Sequence, residues 1–319
     1  MQTGLAKPTG IDYHLASPFQ MAERAMQIGK LGVWFFTDTH SASEAADFAV
    51  RVEALGYSVL WIPEAVGRHP FVHAGWLLAN TQKLIVGTGI ASIYNRDPGA
   101  TMAAAKSLAE QSDGRFILGL GVSHQPLVEA VRGHRYGKPV TAMRAYLEKM
   151  ETTLYQAVEP REAPPVVLAA LGPKMLTLAA TKTQGALPYF TPPAHTAMAR
   201  QTMGPDAWLC VEQKVILETD PTKARSLAKN AARMYIGLTN YRNNWARLGF
   251  EPAELEDGGS DRFIDTMFAW GDEEAIGERI RAHLDAGASH VCVQPVNPSG
   301  NAGEPHWAVL ESMAQLQIS

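Results

Sequence analysis

The segment GRFILGLGVSH, Gly114–His124, is a glycine followed by an apolar run that stops in small and polar residues. The glycine suits the left-handed position that closes a helix, the apolar run suits a buried strand, and the small residues mark where the chain turns toward the next helix. Two further segments are likewise apolar, strand-like runs that end in small residues: VGTGIASIYNRDP, Val86–Pro98, and VVLAALGPK, Val166–Lys174. Each sets exposed backbone at the carboxyl end of a strand, where α/β enzymes bind their cofactors.

Outward from these segments the chain alternates. EALGYSVLWIP (Glu53–Pro63), QGALPYF (Gln184–Phe190) and DAGASHVCVQP (Asp285–Pro295) repeat the passage from helix through glycine to strand. LGVWFF (Leu31–Phe36), QKLIVGTGI (Gln82–Ile90), PPVVLAAL (Pro164–Leu171) and WLCVEQKVIL (Trp208–Leu217) bring the strand candidates to eight. Between them lie helical patterns such as SEAADFAVRVEAL, ATMAAAKSLAEQ, AMRAYLEKMETTLYQ, PTKARSLAKNAARMYI and DEEAIGERIRAHLDA; the last is acidic at its start and carries Arg and His later, as the helix dipole favours. The expected fold is α/β, a (β/α)8 TIM barrel over residues 31–319 with insertion regions at the barrel ends, behind an N-terminal extension of residues 1–30 that runs across the barrel or stays mobile. Gly237–Asp265 breaks the alternation; it either shapes substrate access or simply packs on the barrel surface.

Bulk composition narrows the function. With 319 residues, 46% of them hydrophobic, the chain can bury a barrel-sized core. A net charge of -4 leaves no basic excess for nucleic-acid phosphates or anionic membranes, so neither is an expected partner. Cys210 and Cys292 sit in apolar runs without zinc spacing and read as core thiols of a reducing compartment. No stretch reads as a signal-peptide core or as the roughly 20 apolar residues of a membrane span, so a cytoplasmic location is expected.

The three strand ends carry the chemistry. In GTGIASIYNRDP the strand stops at Gly89, leaving bare backbone on which a flat ring can lie, and Pro98 opens the next helix. In GRFILGLGVSH, Gly119 and Gly121 lack the third glycine of a dinucleotide fingerprint, so a Rossmann site is not expected; the hydroxyl of Ser123 and the imidazole of His124 follow, and the latter can move a proton near neutral pH. In VVLAALGPK, Ala170, Leu171 and Gly172 precede Pro173, whose helix points free N–H groups and its positive end outward, an arrangement that binds phosphate, with Lys174 able to add charge. Each segment taken singly also fits an ordinary turn of a barrel repeat. His69 and His73 share a helical spacing but lack a third ligand nearby, so no metal site is expected; a metal-dependent hydrolase would need more ligands at strand ends than His124 and Glu64.

Taken together, LGVWFF, EALGYSVLWIPEA, the GTGI strand end with R-D-P before its helix, GRFILGLGVSH, YGKPVTAMRAYLEKM and AGASHVCVQ resemble the luciferase-like monooxygenase superfamily, and within it the branch of deazaflavin (coenzyme F420)-dependent oxidoreductases. The resemblance runs from about Leu31 to the C-terminus. It implies that Gly89-Ile90 is a non-proline cis peptide backing the middle ring of the cofactor, with Ala91 beside it, and that Val122 and Ser123 lie along the ring edge. It places the cofactor phosphate on Ala170, Leu171, Gly172, Pro173 and Lys174, and sets Trp34 and Phe36 on the substrate side. Glu64 matches an acidic position often followed by histidine in relatives, but Ala65 follows it here; His124 stands where some sugar-oxidising relatives carry a glutamate.

The activity implied is hydride transfer between the deazaflavin and a small organic substrate. His124 is the first choice for the proton, and Glu64 the second, as acid/base or as the residue orienting His124. Asp38 and His40, after the first strand, are further substrate-side candidates. Flavin mononucleotide (FMN) shares the tricycle, ribityl chain and phosphate, so an FMN-dependent monooxygenase is the alternative, and a non-catalytic flavin-binding barrel is a third reading. Barrels of this family often dimerise, which makes a homodimer an expectation, although no stretch reads as an interface.

Overall fold

Eight short parallel strands close on themselves in the computed structural model, which describes residues 26–316. Among the described residues the strands are β1 (Leu31–Trp34), β2 (Val59–Ile62), β3 (Ile85–Thr88), β4 (Ala91–Ser92), β5 (Phe116–Gly121), β6 (Val166–Leu168), β7 (Gly185–Ala186), β8 (Trp208–Leu217), β9 (Ala269–Gly271) and β10 (His290–Pro295). Pairing runs β1-β2-β3-β5-β6-β7-β8-β10 and returns to β1, all parallel, giving the expected (β/α)8 barrel. Two strands were not foreseen. β4 continues the line of β3 and pairs with β5, while β9 extends the sheet along the carboxyl end of β8. All eight sequence-derived strand segments coincide with barrel strands.

The helices are α1 (Ala42–Ala54), α2 (Pro70–Asn80), α3 (Pro98–Gln111), α4 (Pro139–Glu151), α5 (Pro173–Lys182), α6 (Pro193–Met203), α7 (Pro221–Ile236), α8 (Thr239–Arg247), α9 (Asp261–Met267), α10 (Glu273–Asp285) and α11 (Trp307–Ala314). Their starts follow local chemistry. Ser41 and Glu44 form a reciprocal capping box on α1, Asp97 caps α3 ahead of Pro98, and Asp272 caps α10. Gly56, Gly114 and Gly287 take the left-handed φ expected after a helix. Gly185 departs from that reading: it opens β7, and a Cβ there would collide with the backbone of Trp208, so close strand approach demands this glycine. Helix α4 also stops at Glu151, short of the sequence reading through Gln156.

The barrel strands are buried on both faces, as parallel strands require, and their packing is mostly apolar. The interior holds Trp34, Val59, Trp61, Ile117, Cys210 and Cys292, so both cysteines are buried free thiols. At the amino end, His290 accepts from the Trp61 indole N–H at 3.2 Å and pairs with the Gly29 carbonyl at 3.0 Å. The region 237–265 contains α8, a 3-10 segment (Pro252–Gly258) and the start of α9. It is no loose excursion: Phe190, Tyr235, Tyr241, Trp245, Phe263 and Phe268 form a second apolar cluster that joins it to the barrel. The proposed extension, residues 1–30, lies outside the described residues except for Met26–Lys30, where Ile28 is buried. Among the described residues, no helix is long and apolar enough to cross a membrane.

Candidate active site

The Gly89-Ile90 peptide is cis, the conformation implied by the family resemblance. Its carbonyl and the one that follows are both held: the Trp34 indole N–H donates to Gly89 O at 2.9 Å, and the Glu64 N–H donates to Ile90 O at 3.2 Å. Behind it, the Thr88 hydroxyl donates to Gly119 O and accepts from Gly119 N–H, fixing β3 against β5. A Cβ on Gly121 would meet Ile90 Cγ1 at 2.5 Å, so glycine lets β5 press against this side chain. Ala91 is buried in β4, whereas Gly89, Ile90, Val122, Ser123 and His124 remain partly exposed. Ser123 takes a left-handed φ of 55°, turning the chain out of β5. The result is a ridge of accessible backbone along the ends of β3 and β5.

Among the described residues no hydrogen bond joins His124 to Glu64. The orienting partner of His124 is Asn240 of α8, whose Oδ1 lies 3.2 Å from Nδ1, with the Tyr241 ring beside the imidazole at 5.8 Å. Burial pushes the His124 pKa down, keeping the ring neutral at neutral pH. Glu64 is committed elsewhere. Its carboxylate accepts from Ser92 N–H at 2.7 Å and from Arg96 Nη1 at 3.1 Å, and pairs with Arg96 Nη2 as well. With side chains only 6% and 10% exposed, the Glu64–Arg96 pair braces the β4 turn, and three donors already occupy the carboxylate.

The substrate-side candidates are each held by neighbours. Trp34 is 3% exposed and backs the ridge from inside the barrel, so it offers no open face. Phe36 packs edge-on against it at 4.8 Å and is partly exposed, and Tyr189 covers its other side at 4.9 Å. Asp38 accepts from Arg68 N–H at 3.1 Å and lies against Gly67, fastening two loops together. His40 faces a different direction: Nε2 bonds to Gly303 O at 2.9 Å, beside Phe48 near Trp307. His69 caps α2, and His73 is buried against Thr37 Oγ1 at 2.6 Å. No cluster of three or more metal-ligating side chains occurs among the described residues.

The third strand end leaves backbone N–H groups free at the start of α5. After β6, Ala170 is buried, and fully buried His195 pairs through Nε2 with Leu171 O at 2.8 Å, which fixes the turn. Gly172 is the N-cap of α5, has no side chain to cap it, and is followed by Pro173 and exposed Lys174. Neither the Gly172 nor the Lys174 N–H has a partner among the described residues. The Arg247 guanidinium at the end of α8 stands over this turn, its nitrogens 3.4 and 3.5 Å from where a Gly172 Cβ would be. Arg247 has no carboxylate partner among the described residues.

Beneath the mouth, a polar network props up the aromatic wall. Lys214 Nζ donates to Glu212 at 3.2 Å and to Gln294 Oε1 at 3.1 Å, and lies 3.8 Å from the Tyr189 ring centroid. Tyr189 also donates to Gln294 Oε1 at 2.8 Å, so the Tyr235 hydroxyl, 2.6 Å away, must donate to it. Burial brings Lys214 down to about 8 and raises Glu212. Sequence reading missed this set, along with Arg96, Asn240 and Arg247.

Residues 22–290 match the family model for luciferase-like monooxygenases. The chain is 27% identical over 258 residues, 67% of its length and 74% of the relative's, to a coenzyme F420-dependent oxidoreductase assigned by inference in Mycobacterium tuberculosis. The F420-dependent tetrahydromethanopterin reductase of Methanopyrus kandleri superposes with a TM-score of 0.71 at 20% identity, covering 90% of this chain and 97% of that one. A type II Baeyer-Villiger monooxygenase from Pseudomonas putida in complex with FMN superposes at 0.66 with 14% identity, covering 90% and 96%. The fold therefore does not by itself separate the two cofactors.

Proposed function

The chain belongs to the luciferase-like monooxygenase family, and from that premise we propose that this oxidoreductase transfers a hydride between coenzyme F420 and a small organic substrate at the mouth of the barrel. One observation carries the reading: the accessible ridge at Gly89-Ile90 and the uncapped N-terminus of α5 lie on the ends of successive barrel strands, β3, β5 and β6. At about 4.8 Å per strand step, they stand roughly 10 Å apart, within reach of a tricycle joined to a phosphate by a ribityl chain. The residues present fit such a cofactor, since Gly172 leaves its N–H free and Arg247 supplies a cation beside it. The F420-dependent sequence relative favours the deazaflavin over FMN.

When bound, the deazaflavin supplies a carbon that gives or accepts two electrons as hydride. The chain supplies placement and the proton. The ridge fixes the plane of the ring, Val122 and Ser123 border its edge, and Trp34 and Tyr189 keep the floor rigid and dry. His124, neutral and held through Nδ1, keeps Nε2 as the nitrogen that takes or returns a proton. Glu64 and Arg96 hold the β4 turn that carries the ridge.

The test is anaerobic turnover with reduced F420, deuterated at its reactive carbon, and a panel of small carbonyl and unsaturated hydride acceptors. Deuterium in the product supports the reading. Turnover that requires oxygen and reduced FMN would replace it with a monooxygenase, and bound F420 without turnover on any acceptor would favour a binding protein.

A further inference from the structure

One face of helix α8, TNYRNNWAR, carries three polar side chains, Asn240, Asn244 and Arg247. At about 100° per residue they fall within about 60° of one another, forming a stripe beside the apolar pair Tyr241 and Trp245. The two ends of the stripe are anchored. Asn240 reaches His124 after β5, and Arg247 stands over Gly172 after β6. Asn244, between them, has no exposed surface, yet neither its Oδ1 nor its Nδ2 has a hydrogen-bond partner. A buried amide offers two donors and two acceptor sites, and folded chains almost always satisfy such groups.

We propose that α8 is a polar rail that closes over the side chain of the bound cofactor, with the Asn244 amide pairing with hydroxyls of its polyol chain and Arg247 pairing with its phosphate. The ligand class is thus a phosphorylated polyol attached to a flat ring, and the inference rests on the site reading given above. Three independent features converge on it: the uncapped N-terminus of α5, a cation without a carboxylate partner among the described residues, and an unpartnered buried amide between that cation and His124. Because Asn244 is covered, α8 must lift to admit the chain and settle again on binding. Asn240 then couples that settling to His124, so the proton-carrying ring is fixed when the phosphate end is seated.

Equilibrium titration of the full chain with F420, and with the phosphate-free deazaflavin that keeps the ribityl chain, separates the two roles. Arg247→Met should weaken F420 binding about tenfold or more while changing the phosphate-free ligand by less than about twofold. Asn244→Ala should weaken both ligands by a similar factor of about five to ten, and its melting temperature should not fall below that of the wild type by more than an ordinary surface change gives. On binding F420, hydrogen exchange of the α8 amides should slow. Unchanged affinities in both variants would overturn the rail, as would equal losses for both ligands in Arg247→Met. Gly172→Leu is the control: if it blocks F420 binding while the α8 variants bind normally, only the rail fails, whereas wild type that binds neither ligand sinks the site reading itself.

Discussion

Asn240 Oδ1 sits 3.2 Å from His124 Nδ1, and this contact selects the nitrogen that can act. Facing a carbonyl oxygen, Nδ1 carries the hydrogen, and Nε2 is left as the basic site. His124→Ala should therefore lower saturated turnover by about 10²- to 10⁴-fold while leaving the F420 dissociation constant within a few-fold. A packing histidine would instead lower the melting temperature and spare turnover. Steady-state kinetics and direct binding on the same preparation decide between these results.

The same contact sets a pH expectation. Burial lowers the His124 pKa and the Asn240 bond partly restores it, so the acidic limb of the rate profile should lie below the ordinary histidine value of about 6.5. Asn240→Ala removes the restoring contact, and the limb should move further down. A limb that moves up, or does not move, would show that another group governs proton transfer.

Glu64 should behave as a brace. Breaking a buried ion pair by removing one charge costs about 3–5 kcal/mol, and Glu64→Gln, which keeps an acceptor toward Ser92 and Arg96, should cost part of that. Stability and cofactor affinity should drop together, while turnover at saturating cofactor stays within about tenfold of wild type. Loss of turnover by 10²-fold or more with unchanged melting would restore Glu64 as an acid/base.

The barrel framework was legible because its signals are local: a left-handed glycine, a run of apolar residues and small residues at the turn mark each strand without knowledge of the partner. The same logic exposed Gly89 and Gly172 as strand ends that bare their backbone. Side-chain direction was not legible. Trp34, Asp38, His40 and Glu64 lie near strand ends, but each is turned toward a neighbouring loop or the barrel interior, which spacing along the chain does not encode. Helix α8 escaped for a related reason: TNYRNNWAR has only Tyr241 and Trp245 as an apolar pair one turn apart, and its contacts with His124 and Gly172 span 116 residues and 75 residues of chain (240 − 124 and 247 − 172). Helix α2 is apolar over most of its length and so lacks a one-sided stripe.

Acid should weaken the fold before carboxylates titrate. Burial holds His73 and His290 down at about 4 and His283 at about 3, so these rings stay neutral in the folded chain. Below the unfolded value of about 6.5 the unfolded chain binds protons that the folded chain does not, and each ring costs about 1.4 kcal/mol of stability per pH unit until its folded value is reached. Denaturant unfolding should show full stability above about pH 6.5 and a steep decline toward about pH 5. His283→Gln should flatten that decline; an unchanged slope would remove His283 from the set.

The most direct test of the central claim is a fluorescence titration of the full chain with F420 and with FMN, repeated on Gly172→Leu. The expected result is saturable binding of one F420 per chain, tighter than FMN, that is lost in Gly172→Leu while the variant's melting stays close to wild type, because Arg247, the nearest neighbour of the added side chain, is exposed and can move aside. Absence of F420 binding, tighter binding of FMN, or equal F420 affinity in Gly172→Leu would contradict it.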